Sequence, residues 1–193
     1  RSRTGGAYAA FQGSRASDGN PRSAEVAISK PATPTTMVRM NARFVDLLAS
    51  TRKPIMGELH PALIPLVRKG IVKVGRLHFL QEFIQRQSTA PKNLDAIGLE
   101  DWVNRFHLED YARTDLLRQS LRFMNEMFKR WRRQRSVGTL NSFVSLPTES
   151  KAAVVSFHLA RHGLAWLSDD FEGYQNEAVL EISSGDAAFF KLL

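Results

Sequence analysis

The sequence predicts an all-α protein: an irregular multi-helix bundle with an extended basic N-terminal arm and a short C-terminal tail. Three observations lead there. Apolar residues recur at helical spacing from Thr114 to Arg135. Apolar stretches read the same way over 37–50, 71–87 and 147–162. The first 36 residues are too poor in apolar side chains to bury a core of their own. The divisions follow: an arm over 1–36, a helical core over 37–175 and a tail over 176–193.

Taken in order, Arg1 to Thr36 is rich in Gly, Ser, Ala, Arg and Pro, with only Tyr8 and Phe11 large and apolar before Val26. Ordering such a segment costs more than its own burial returns, so a partner is expected to hold it. Because the chain starts at Arg1 rather than Met, it reads as a fragment, a processed product or a tagged chain. Met37 to Ser50 predicts a first helix with Met40, Phe44, Val45, Leu47 and Leu48 inward, and Pro54 breaks it. Pro61 and Pro65 start or kink the next helix, which Gly70 closes. Ile71 to Gln87 predicts another, interrupted early by Gly75. Asn93 or Asp95 caps a short turn, and Gly98 to Arg105 predicts a short helix that buries Trp102, Val103 and Phe106.

The stretch 114–135 is the clearest element. At 100° per residue, Leu117, Leu121, Met124, Phe128 and Trp131 share one face, widened by Leu116, Phe123 and Met127. Arg118, Arg122, Lys129, Arg132 and Arg133 gather on the other side. Thr114 and Asp115 suit an N-terminus, and the terminal arginines suit the negative end of the helix dipole. Residues 136–146 then predict a polar loop. Thr148 as N-cap opens a helix to about His162, apolar nearly all round and therefore central. Ala178 to Ser183 predicts a short strand or extended tail, and AAFFKLL at 187–193 predicts a docked end.

Charge sharpens the picture. The net charge is +8, with nine basic and three acidic residues in 1–54, and six basic residues against Glu126 alone in 122–135. The last thirty-one residues hold six acids against Lys191. Opposite ends of this kind can attract one another between copies. The absence of cysteine excludes disulfides and thiolate metal sites. No apolar run is long enough to span a bilayer.

Motifs for chemistry are missing: no GxxxxGK[ST], no GxGxxG and no GxSxG. His158 and His162 stand at i, i+4 and would share a helix face, but no third ligand accompanies them, so neither a metal nor a cofactor is expected. Asp169, Asp170 and Glu172 lack the ligand pattern of a calcium loop. The expectation is a non-enzyme that binds RNA or DNA without reading sequence and assembles in many copies, as a nucleocapsid or filament coat protein does. Arg118, Arg122, Lys129, Arg132 and Arg133 would meet phosphates, with Arg39, Arg43, Arg52 and Lys53 as a second basic wall. Other copies would be engaged through the arm and the tail. The alternative is a non-catalytic structural or adaptor subunit of an organellar or ribonucleoprotein complex. Localisation follows the choice: intracellular or virion for a coat, organellar for a subunit.

Overall fold

The computed structural model describes residues 38–51, 57–134, 136, 138–164, 166–186 and 188–191. All of these lie in one compact unit, Pro34–Leu193. The predicted arm, Arg52, Lys53 and Arg135 fall outside the described residues.

The all-α expectation is overturned. A five-stranded antiparallel sheet runs through the molecule in the order β1 (Val38–Met40), β7 (Glu177–Ser183), β5 (Leu140–Pro147), β6 (Val154–Leu159), β4 (Phe106–His107). A second sheet is a hairpin of β2 (Ile71–Val74) and β3 (Leu77–Leu80). Among the described residues four α-helices accompany them: α1 (Ala42–Ala49), α2 (Ile64–Lys69), α3 (Ala96–Asn104) and α4 (Leu116–Arg133). The class is mixed α/β.

Each misreading has a physical cause. The predicted helix over 147–162 is the end of β5, a turn and β6. The large sheet is covered on both faces, so its strands lose the apolar–polar alternation that marks a half-exposed strand. In β5, Leu140, Val144 and Leu146 face the main core, while Phe143 joins Leu167, Phe171 and Val179 on the other side. The expected polar loop 136–146 contains most of that strand; its serines are buried but answered, Ser142 Oγ donating to Ser156 O at 2.8 Å. The expected helix over 71–87 is the hairpin and a 3₁₀ stretch, Gln81–Thr89. Gly75, at φ 60, supplies the reversal with Arg76. Within the predicted tail, β7 sits between β1 and β5 rather than at an end.

Several local signals are found as expected. Gly70 closes α2 at φ 71 and Phe190 is buried near the C-terminal end, while Asp95, expected to cap a turn, caps α3 itself by accepting from Gly98 N at 2.7 Å. The first helix is shorter than 37–50 because residues 38–40 pair with β7. Asn41 makes the junction: its Oδ1 accepts from Phe44 N and Val179 N, and its Nδ2 donates to Glu177 O. Val45 and Trp102, both expected inward, are exposed.

α4 lies across the main core. Phe123 and Phe128 meet Phe157 edge-to-face at 5.9 and 6.2 Å, and Phe128 meets Phe190 at 6.1 Å. The eight apolar residues expected to face inward on α4 are buried or half-buried in that core.

Candidate nucleic-acid interface

Burying that apolar arc leaves α4 a narrow outward sector, occupied by Arg118, Arg122, Glu126, Lys129, Arg130 and Arg133, and Arg132 is exposed on its flank at the C-terminal end. The side chains differ in what answers them. Arg118 pairs with Asp115, the residue at the N-cap position, which sits in the left-handed region at φ 57 and makes no side-chain cap bond. Lys129 pairs with Glu126 at 2.7 Å. These two cations are therefore matched locally. Arg122 donates to Glu58 O at 2.9 Å, Arg130 to Lys69 O at 3.5 Å and Arg132 to Ser184 O at 2.9 Å. A carbonyl positions a guanidinium without cancelling its charge. Arg133 is exposed and makes no ion pair with a described residue.

The C-terminal half of α4 lies against α2 and the hairpin. The Arg130 side chain covers Gly70, where a Cβ would collide with it. Trp131 stacks edge-on to His78 of β3 at 5.5 Å, and His78 is paired across the hairpin with Lys73. Exposed Arg68 lines a small pocket with Arg122 and Glu126, and Lys73 and Arg76 are exposed on the hairpin. Phe123, Phe128 and Trp131 are buried and present no ring to a base.

Of the second wall expected from sequence, Arg39 pairs with Glu181 at 2.5 Å and with Asp169 at 3.2 Å, and its guanidinium lies 4.4 Å from the Phe171 ring centroid. Arg43 is exposed on α1. The histidine pair is dissolved: His158 is buried in β6 and His162 is exposed in the turn beyond it, so the two share no helix face. Among the described residues no group of three or more His, Asp or Glu side chains is placed to hold a metal ion. Among them also, no helix is long and apolar enough to cross a membrane.

A second polar constellation escaped the sequence reading. Glu100, fully buried, accepts four hydrogen bonds: His78 N at 2.7 Å and Arg161 Nη2 at 2.7 Å on Oε1, Leu159 N at 2.8 Å and Arg161 Nη1 at 2.8 Å on Oε2. One helical turn on, Asn104 accepts from Leu80 N and donates to His78 O and Phe157 O. Two side chains of α3 thus satisfy backbone groups of β3 and β6 and join the two sheets. Only the i, i+4 spacing of Glu100 and Asn104 could have hinted at this. Nearby, burial lowers the His158 imidazole to about 4 and also lowers His78. Burial pushes the Asp101 carboxyl up to about 6 against the pull of Arg105, 2.5 Å away.

Fold and surface together define a class: a mixed α/β domain whose two sheets are joined by a buried polar bridge and whose longest helix turns a cationic edge outward. Residues 39–191 match the model of the Uncharacterized protein PM0498 family, and the chain belongs to that family. No curated protein and no solved structure matches the chain.

Proposed function

We propose that the protein is a non-catalytic, sequence-independent nucleic-acid-binding protein that grips the sugar–phosphate backbone with the C-terminal half of α4. The observation that carries this reading is the trio Arg130, Arg132 and Arg133. Two of them are held by carbonyls and the third is exposed. Preset guanidinium groups lose little side-chain freedom on meeting phosphate and present the geometry that bidentate contact needs. With the helix aromatics buried, the contact is to backbone rather than to bases, which is why sequence is not read.

The test is fluorescence anisotropy with labelled single-stranded RNA, single-stranded DNA and duplex DNA, each in two unrelated sequences. The reading expects affinities within about threefold between sequences of one type, because phosphate contacts are indifferent to base identity. No binding at low salt to any of these, or strong preference for one sequence, contradicts it.

A further inference from the structure

At the opposite end of α4 lies a groove of about 770 Å³, walled by α1, the start of α4 and the β5–β6 turn. Its apolar surface includes Leu47, Leu116 and Leu146. Arg43, Arg113 and Lys151 line it as well, all exposed, and none makes an ion pair or side-chain hydrogen bond with another described residue. Of the two acids in the lining, Asp115 is matched by Arg118, which leaves Asp46 alone against three cations. The volume falls in the range of sites for small organic ligands, roughly 300–1,000 Å³.

An apolar surface beside unmatched cations selects a molecule with the complementary halves. We infer that this groove binds a monomeric amphipathic carboxylate, an acyl or aryl body ending in one anionic head. The body lies against Leu47, Leu116 and Leu146, and the carboxylate meets Arg113, Arg43 or Lys151 in charge-assisted hydrogen bonds. A phosphate backbone is a poor occupant, since it has no apolar body to cover the leucines. The site is independent of the cationic edge at the far end of α4.

The experiment is titration calorimetry of the full chain with sodium decanoate below its micelle concentration. Decanol, acetate and phosphatidylglycerol vesicles are run in parallel. Saturable binding of one decanoate per chain, tighter than about 1 mM, is expected, with decanol and acetate each at least about tenfold weaker. The double variant R113Q/K151Q loses at least tenfold in affinity, and Ala152→Trp, which fills the groove, removes binding. Arg133→Gln leaves it unchanged, and thermal melts confirm that each variant is folded. No saturable binding of decanoate, equal affinity for decanol, indifference to both groove variants, or binding to vesicles alone would each overturn the inference.

Discussion

Arg161 and Arg132 carry the same guanidinium and do opposite things with it. Arg161 gives both terminal nitrogens to Glu100, a carboxylate with no exposed surface, and their charges cancel where water cannot reach the acid. Arg132 is exposed and donates to a backbone carbonyl of the turn after β7, so its charge remains available to something outside. What separates a structural arginine from a binding one here is the kind of acceptor that answers it. Count and clustering do not separate them, since the densest cationic run also contains the matched pairs Arg118–Asp115 and Lys129–Glu126.

The structural role of Arg161 depends on Glu100. Glu100→Gln removes the buried charge and turns amide hydrogens toward donors that already face it. The expected loss is about 3–5 kcal/mol of unfolding free energy, read by urea denaturation. A loss under about 1 kcal/mol would mean that the bridge between the sheets is incidental. Asn104→Ala strands Leu80 N, His78 O and Phe157 O and is expected to cost about 3 kcal/mol by the same measurement.

The region's acid response sharpens the contrast next. Between pH 4 and 6.5 the unfolded chain takes up a proton that buried His158 refuses, so this residue's contribution is lost as pH falls through that window. Between 3.8 and 6 the fold keeps a proton on Asp101 that the unfolded chain releases, so stability is lost as pH rises there. Each shift amounts to about 3 kcal/mol and the two oppose, so their combined contribution is nearly flat where the windows overlap. Asp101→Asn should show stability rising from pH 4 to 6.5, and His158→Leu stability falling from pH 4 to 6. Parallel profiles in all three proteins would contradict this account of the buried groups. The smallest effect belongs to the outer cations: Arg133→Gln should change stability by less than about 0.5 kcal/mol.

How much of this was legible in the sequence depends on how local each cause is. α4 was readable because its core arc and its cations repeat at helical spacing within 18 residues. Gly70 and Asp95 were readable because caps are local chemistry. β5 and β6 were not, because burial on both faces erases the period-two pattern and leaves Val154 to Leu159 looking like a buried helix. The hairpin hid because Gly75-Arg76 is a weaker turn signal than Asn-Gly, and its flanks are as apolar as a helix face. The candidate site was half legible. Sequence placed Arg122, Arg132 and Arg133 on the outer side of α4, yet their acceptors Glu58 and Ser184 are more than fifty residues away from Arg122 and Arg132 in the chain.

The salt dependence of duplex DNA binding reads how many phosphates the cationic edge of α4 neutralises. For wild type, log Kobs against log salt should fall with a slope near −3, from about three phosphates neutralised at roughly −0.9 each. In the triple variant R130Q/R132Q/R133Q the slope should collapse toward zero while the melting temperature stays within a few degrees. A wild-type slope near zero, or a slope that the triple variant leaves intact, would show that the cationic edge of α4 does not exist to meet phosphate.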